Sequence, residues 1–259
     1  MLDLPPLLAF NEAQRNPPAE CDFHSVAIRP ADDSSLKTVP PLPGMRLLVP
    51  YMATHLVRPF HRFFPDMLWR VDAEAPTAYL TFDDGPTSEL TEDLIDVLAE
   101  YEAQATHFLV GRHARNHPDL VRALVAEGHR IGNHTYSHVD PWSTPHAELA
   151  DELNETTRIL RDLTGGPVRA LRPPYGHPTG FLRQWCAAEN QRMVMWDVMP
   201  GDFLQTATAS RVSSFVLNHI RPGSVVVLHD NPICENVTPP ALETILDTLS
   251  AEGWRFDAL

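Results

Sequence analysis

From residue 78 onward, short apolar stretches alternate with longer segments whose apolar residues recur at positions i, i+3 and i+4. The short stretches predict buried strands, and the periodic segments predict amphipathic helices. Strands that alternate with helices favour a parallel α/β fold, either an open doubly wound sheet or a closed barrel. The predicted strands are 78–82, 104–110, 129–132, 169–171, 192–198, 224–229 and 254–258.

Three of the helices, at 118–128, 144–163 and 238–253, are also marked by the residues at their ends. Proline is favoured in the first turn of a helix and glycine just after the last turn, and both occur here at the expected places. The predicted helices include one around 94–101 and others at 118–128, 144–163 and 238–253.

The first 76 residues lack this alternation. Eight of the 25 prolines fall within residues 1–44, which predicts a flexible, proline-rich extension. Residues 45–76 are apolar with scattered basic residues, and we expect them to pack against a main domain at 77–259. Met45 is a candidate for the native start of the chain.

Composition narrows the classes of function. With 259 residues, 43% of them hydrophobic, the chain is long enough for one large domain. A net charge of −14 argues against binding to nucleic acid or to anionic membranes. Cys21, Cys186 and Cys234 are widely spaced, which predicts neither a disulfide framework nor a cysteine zinc site.

The chain shows neither a signal-peptide pattern nor an apolar run of the roughly 20 residues needed to span a membrane. We therefore expect a cytoplasmic protein without a transmembrane segment. The sequence does not indicate an oligomeric state.

Polar residues cluster where the predicted strands end. In α/β barrels the loops after the carboxyl ends of the strands build the active site. Because such residues follow five different strands, the barrel is favoured over the open sheet. They are Asp83-Asp84, residues 133–138, residues 172–176, Asp197 with Asp202, and His229-Asp230.

Asp83 and Asp84 are adjacent carboxylates, which repel each other unless a metal, an arginine or both lie nearby. One aspartate would then bind a metal, and the other would act as a general base. Arg172 is a candidate partner that would keep this base ionised and oriented. The alternative is an ordinary turn with two solvated aspartates.

His134 and His138 are spaced so that both imidazoles can reach one metal ion. A carboxylate from another strand end would complete a set of three ligands and leave positions open for water and substrate. The pair is not the His-Glu-x-x-His motif of metalloproteases, because Thr135 stands where that motif has its glutamate. Chance spacing is the alternative, since the chain contains 13 histidines.

Two further segments offer catalytic groups. Pro173-Pro174 stiffens its loop, so the backbone N–H of Tyr175 can be held toward a developing oxyanion. His229 is a candidate general acid, with Asp202 or Asp197 raising its pKa and fixing its tautomer. The alternative for His229 is a buried structural histidine.

Five motifs follow one another in the order found in one known family. Together they resemble the motifs of the NodB-homology polysaccharide deacetylases, the family-4 carbohydrate esterases. The resemblance implies a distorted (β/α) barrel of about seven parallel strands and a bound divalent metal, usually zinc, with cobalt, nickel or manganese as alternatives. The motifs are TFDDGP at 81–86, HTYSH at 134–138, RPPYG at 172–176, WDVMPGDF at 196–203 and VLHD at 227–230.

The resemblance also implies a reaction, the metal-assisted removal of N-acetyl groups from an oligo- or polysaccharide that contains N-acetylglucosamine, such as chitin or peptidoglycan. By the family pattern the metal ligands are Asp84, His134 and His138. Asp83 would be the base and His229 the acid.

The remaining roles follow from the same resemblance. Arg172 would be the partner of the base, Asp202 would tune His229, and Tyr175 would donate its backbone N–H to the oxyanion. The substrate-contacting residues would be Pro173, Tyr175, Phe203 and Leu228.

The chain departs from the family pattern at several places. Phe203 stands where many members have tryptophan, and with Leu228 it should keep the pocket for the acetyl methyl apolar. His107 stands where an aromatic residue is usual, and we interpret it as a packing residue. His177 directly follows the third motif and is a candidate substrate contact.

Two alternatives to sugar N-deacetylation stay open from the sequence. One is the same metal chemistry on O-acetyl esters or cyclic amides. The other is a catalytically silent carbohydrate-binding domain that keeps the barrel. Without a signal-peptide pattern, a soluble oligosaccharide or an intracellular precursor also remains open as the substrate, beside the cell wall.

Overall fold

The structure is a computed structural model, and it describes residues 48–55 and 58–259. The predicted extension at 1–44 and the candidate start Met45 lie outside the described residues. No helix in the described ranges is long and apolar enough to cross a membrane.

The strands form one sheet in which every pair of neighbouring strands is parallel. All seven predicted strands are present, with ends that differ from the predicted ones by up to four residues, and β1 is an additional short strand. In sheet order they are β1 (Met67–Leu68), β6 (Arg192–Val194), β5 (Ala170–Leu171), β4 (Arg130–Asn133), β3 (Ala105–Leu109), β2 (Thr77–Asp83) and β7 (Val225–His229), with β8 (Arg255–Phe256) paired to the start of β2.

The sheet curls back on itself beyond β6. Val198, which follows that strand, forms a parallel bridge with Val226 of β7. The N–H of Val227 donates to the Val198 carbonyl oxygen at 3.0 Å. This incomplete closure makes the architecture a distorted (β/α) barrel, as predicted.

Helices cover the outside of the sheet. The four predicted helices are present, and the sequence did not single out four others. They are α1 (Leu48–His55), α2 (Ser88–Glu100), α3 (Gly111–Asn116), α4 (Pro118–Ala126), α5 (His146–Thr164), α6 (Gly180–Ala188), α7 (Ala209–His219) and α8 (Thr238–Ala251). Short 3-10 turns lie at Arg58–Phe63, Pro174–Gly176 and Pro232–Cys234.

Alternation along β2 separates the core from the site, because successive side chains of a strand face opposite sides. Leu80 and Phe82 face outward and are fully buried in the main core with residues of α2, α7 and α8. Thr81 and Asp83 share the opposite face, where both contact Arg172. The barrel interior therefore carries charge, while the hydrophobic core lies between sheet and helices.

Part of the apolar segment at 45–76 contacts the barrel. β1 pairs with β6, and the N–H of Val71 donates to the carbonyl oxygen of Gly223. Met67 and Trp69 are buried. The division of the chain at residues 44 and 76 stays a prediction.

Register brings the strand ends to one rim. Asp83 pairs with Phe108 on one side and with His229 on the other. Asn133 pairs with Leu171, so β4 and β5 also end at the same level. The residues that follow these strands therefore meet at the carboxyl end of the barrel.

Candidate metal and catalytic site

Asp84 is the residue that directly follows β2. Its backbone adopts the left-handed conformation, with φ of 79°. Its Oδ1 lies 3.2 Å from Nε2 of His138 and 3.5 Å from Nε2 of His134. One atom from each side chain lies within 4.8 Å of the other two. The structure thus brings the three predicted ligands together.

Two atoms of this cluster have no hydrogen-bond partner although they are buried, namely Oδ1 of Asp84 and Nε2 of His134. Nδ1 of His134 lies 2.7 Å from the Arg172 carbonyl oxygen, an acceptor, so Nδ1 carries the hydrogen and Nε2 presents its lone pair. Oδ2 of Asp84 accepts from Nδ2 of Asn231 at 2.8 Å. Unpartnered buried atoms of these types, converging on one point, fit a divalent metal.

The donor set indicates which metals are suitable. Two imidazoles and one carboxylate are typical of a catalytic zinc site, in which three protein ligands leave a position open. Burial by itself disfavours the ionised form of Asp84, but the neighbouring imidazoles of His134 and His138 outweigh burial and hold the pKa of Asp84 below its ordinary value. The carboxylate is therefore ionised, as a metal ligand requires.

The loop between the two histidines is held from outside the cluster. Asn133 donates to the Leu153 carbonyl oxygen and accepts from the N–H of Thr135. Glu152 on α5 accepts from the backbone N–H groups of Tyr136 and Ser137, at 2.8 and 2.7 Å. Helix α5 thereby fixes the path of the chain from one histidine to the other.

Asp83 and Arg172 form a buried ion pair. Nη1 of Arg172 donates to Oδ1 of Asp83 and to Oγ1 of Thr81, both at 2.7 Å. Arg172 has no exposed surface, and Asp83 is 5% exposed. The predicted partnership between arginine and carboxylate is therefore present.

The guanidinium of Arg172 is tied down by further contacts. It donates to the carbonyl oxygens of Val194 and Met195, and it lies 4.2 Å from the centroid of the Phe108 ring. Burial lowers the pKa of Arg172 and the charge of Asp83 opposes this, so the guanidinium stays protonated. The pair cannot rotate away without losing all of these contacts.

His229 and Asp202 form a second pair at the same rim. Oδ1 of Asp202 lies 2.9 Å from Nδ1 of His229, and Oδ2 accepts from the His229 backbone N–H at 2.7 Å. Burial opposes protonation of His229, but the charge and hydrogen bond of Asp202, with Asp83 and Asp84 nearby, raise the pKa of His229 to about 9.

Asp197 is not the partner of His229, although the sequence offered it as an alternative to Asp202. Its buried carboxylate pairs with Arg58 and Arg221 and accepts from Oγ of Ser224 at 2.6 Å. Asp202 makes the contact with His229 instead.

The predicted substrate contacts lie in different surroundings. Tyr175 has φ of 58° and a side chain that is 61% exposed, whereas Pro173 is buried. Phe203 packs edge-to-face on His229, with ring centroids 4.8 Å apart. These three residues lie at or beside the rim, and their contacts with substrate stay predictions.

The predicted contact between Leu228 and the substrate requires a correction. Its side chain is fully buried in the main core with Val226, on the outer face of β7. Because side chains alternate along a strand, the residue that shares the face of His229 is Val227. The sequence motif was therefore interpreted one residue out of phase.

Sequence reasoning missed several residues of the site. Asn231 donates to Asp84, and Glu152 accepts from the loop between the two histidines; sequence spacing reveals neither contact. Asp230 is fully buried and accepts from the hydroxyls of Thr87 and Thr91. Burial, helped by the charge of Asp84, raises the pKa of Asp230 to about 6, although the hydrogen bonds from the two hydroxyls lower it. His107 is buried and stacks on a phenylalanine, as a packing residue should.

Backbone strain is concentrated here. A positive φ is unfavourable for residues other than glycine. The described residues include six such positions, and four of them are at the site. These four are Asp84, Thr135, His138 and Tyr175.

The fold and the site together define an α/β-barrel protein with a cluster of metal-binding type at the carboxyl ends of its strands. The sequence profile described as polysaccharide deacetylase matches residues 70–192. The chain is 35% identical over 181 residues to a peptidoglycan-N-acetylglucosamine deacetylase of Bacillus cereus, an alignment that covers 70% of this chain and 66% of that protein. It is 39% identical over 155 residues to a chitooligosaccharide deacetylase of a Bradyrhizobium species, covering 60% and 70%.

Among solved structures, a peptidoglycan N-acetylglucosamine deacetylase in complex with 4-naphthalen-1-yl-N-oxidanyl-benzamide superposes with a TM-score of 0.74. It is 32% identical, and the match covers 78% of this chain and 94% of that one. The chain belongs to the polysaccharide deacetylase family, the NodB-homology group of family-4 carbohydrate esterases. The predicted class, a hydrolase of non-peptide carbon–nitrogen amide bonds, is confirmed.

Proposed function

We propose that the chain is a metal-dependent hydrolase that removes N-acetyl groups from an oligo- or polysaccharide containing N-acetylglucosamine. The observation that carries this proposal is the three-ligand cluster of Asp84, His134 and His138. Two further pairs, Asp83 with Arg172 and Asp202 with His229, lie at the same rim. The names of the relatives, which act on peptidoglycan or chitooligosaccharides, support the choice of substrate class.

The metal would be held by Asp84, His134 and His138. Zinc suits these ligands best, and cobalt, nickel or manganese accept the same nitrogen and oxygen donors. When bound, such an ion polarises a carbonyl oxygen and lowers the pKa of a coordinated water.

Asp83 is the proposed general base. It ends the strand that the ligand Asp84 follows, and Arg172 orients it through a hydrogen bond of 2.7 Å. As water attacks the acetyl carbonyl, this carboxylate takes the proton that the water loses. Asp83 then holds that proton while the tetrahedral centre collapses.

His229 is the proposed general acid. Asp202 accepts the hydrogen on Nδ1, so Nε2 carries the proton that can be donated. Because the pKa of His229 is raised, the imidazolium is populated at neutral pH. Its proton goes to the sugar nitrogen as the carbon–nitrogen bond breaks, and acetate and a free amine result.

The remaining groups bind and orient the acyl part. The backbone N–H of Tyr175 would donate to the developing oxyanion. Phe203, which packs on His229, provides apolar surface for the acetyl methyl. Phenylalanine keeps this surface apolar in place of the tryptophan of many family members.

The test is acetate release from chitooligosaccharides by purified protein, first stripped of metal and then reloaded with zinc. We expect release only after reloading, and none from a His134→Ala variant treated in the same way. Acetylated xylan and cyclic amides are assayed in parallel. If the zinc-loaded protein releases acetate only from acetylated xylan, or only opens the ring of the cyclic amides, the substrate is not the sugar amide. Zinc uptake without release from any substrate would contradict a hydrolytic function.

A further inference from the structure

A pair of stacked aromatic rings stands beside the site and is not used by the proposed chemistry. Trp142 lies in the turn after the second histidine ligand, and 66% of its surface is exposed. Its ring stacks on that of His177, with centroids 3.6 Å apart and planes within 3°. Since one face of the indole is covered by His177, its exposed surface includes the other face. Large exposed aromatic surface of this kind is typical of binding sites.

The pair is held rigidly. Oδ1 of Asp140 accepts from the Trp142 backbone N–H at 2.9 Å and lies 2.8 Å from Nδ1 of His177. The indole N–H donates to the Pro178 carbonyl oxygen at 3.2 Å. A surface that is already fixed in this way loses little conformational freedom when a ligand binds.

The rings connect to the metal cluster without a gap. The centroid of His177 lies 5.8 Å from that of Tyr175, and Tyr175 lies 4.7 Å from His138. Tyr175 is itself 61% exposed. A row of rings therefore leads from a proposed metal ligand out to Trp142.

We propose that Trp142, stacked on His177, is a saccharide platform that binds a sugar unit of the chain next to the unit being deacetylated. A pyranose ring presents an apolar face of C–H groups, which packs on a flat aromatic surface and removes both from water. This inference rests on the proposed function, since it deepens that function by assigning a preference for oligomers over single sugars.

The competing explanation is structural, with Trp142 only covering the turn. Two variants separate the explanations. Trp142→Ala removes the platform, and Trp142→Phe keeps an aromatic ring on His177. Tyr51→Ala is the matched control, because Tyr51 is 54% exposed and lies in helix α1.

We expect the zinc-loaded Trp142→Ala variant to lose about tenfold in kcat/KM on chitotetraose, chiefly through KM, because the contact is equal in ground and transition states. Activity on monomeric N-acetylglucosamine should change little. Trp142→Phe should recover most of the loss, and Tyr51→Ala should match the wild type. An equal loss on monomer and tetramer, or no loss on the tetramer, would overturn the proposal.

Calorimetric binding keeps this test separate from the proposed function. If the wild type releases no acetate, the proposed hydrolysis fails, but the affinity of the zinc-loaded protein for chitotetraose can still be measured. The platform predicts weaker binding by Trp142→Ala than by the wild type. Identical affinities, or no binding by either protein, would refute the platform whatever the outcome of the activity assay.

Discussion

At the scale of single residues, neighbours in the chain have separate partners. Asp83 ends a strand and contacts Arg172, whereas Asp84 turns through a left-handed backbone to reach two histidines. The sequence predicted that two adjacent carboxylates need positive partners. Which of the two takes which role came only from the family resemblance, because spacing along the chain does not show which carboxylate turns toward the histidines.

Replacing Asp83 by asparagine should separate the base from the metal site. We expect Asp83→Asn to keep its zinc and lose at least about 100-fold in turnover, since the amide accepts no proton. Zinc content by mass spectrometry and acetate release are the measurements. Asp66→Asn, at an exposed aspartate paired with Arg183, is the control. Turnover near that of the control would remove Asp83 from the role of base.

Loss of a ligand should act on metal affinity directly. We expect His134→Ala to lose zinc on dialysis against a weak chelator, because two side chains then remain of the three that surround the metal position. His146→Ala removes an exposed histidine and should retain zinc. Retention of zinc by both variants would contradict the proposed ligand set.

The pair of His229 and Asp202 predicts a pH dependence of stability in metal-free protein. The pKa of His229 rises from about 6.5 in the unfolded chain to about 9 in the folded one. A raised pKa stabilises the fold fully below pH 6.5, and this stabilisation is lost as pH rises toward 9.

Chemical denaturation at a series of pH values tests this dependence. The free energy of unfolding should fall between pH 6.5 and pH 9 in the wild type. It should fall less in Asp202→Asn, which lacks the charge that raises the pKa. Parallel pH profiles for the two proteins would mean that Asp202 does not control His229.

At the scale of elements, strands were easier to predict than some helices. The seven predicted strands are confirmed because buried parallel strands have short apolar sequences. Helix α3 gave no signal, since it has six residues and only two are buried, Gly111 and Ala114. β1 has two residues, too few for any pattern. The misplaced Leu228 shows that an error of one residue inverts the face of a strand.

Helix α5 should influence the metal although it supplies no ligand. Glu152 holds the loop between the histidines through two backbone N–H groups. We expect Glu152→Ala to weaken zinc affinity about 10- to 100-fold. Glu152→Gln should recover part of it, because its side-chain oxygen can still accept. Competition with a fluorescent zinc chelator measures both.

Glu148→Ala is the matched control for this prediction, because Glu148 is an exposed residue in the first turn of the same helix. Its zinc affinity should equal that of the wild type. If Glu152→Ala also binds zinc like the wild type, the loop holds the histidines without help from α5.

At the scale of the whole molecule, the barrel was the harder prediction. Alternating strands and helices fit an open sheet equally well, and strand-end residues favoured closure. In the structure, closure depends on the bridge between Val198 and β7, a pairing remote in sequence that no local pattern encodes. The convergence of the site follows from closure, so the family resemblance predicted more of the site than the apolar pattern did.

Asp197 connects the N-terminal segment to the barrel and should matter for stability alone. It pairs with Arg58 before β1 and with Arg221 before β7. Because both arginines keep some contact with solvent, we expect Asp197→Ala to lower the free energy of unfolding by about 2 kcal/mol. Zinc affinity and kcat at low temperature should be unchanged. If Asp197→Ala instead bound zinc more weakly while its free energy of unfolding stayed unchanged, the contacts of Asp197 would influence the metal site.

Four residues at the rim have a left-handed backbone conformation, and this has an evolutionary consequence. Selection for heat tolerance alone would favour glycine at each of these positions, since glycine relieves the strain without altering the fold. Two of the four, Asp84 and His138, are proposed metal ligands. Proteins selected for heat tolerance alone would therefore lose these ligands and become stable barrels without hydrolytic activity. As long as the activity is under selection, these residues cannot be replaced, which limits how far the rim can be stabilised. Gains in heat tolerance must then accumulate in the helices outside the rim.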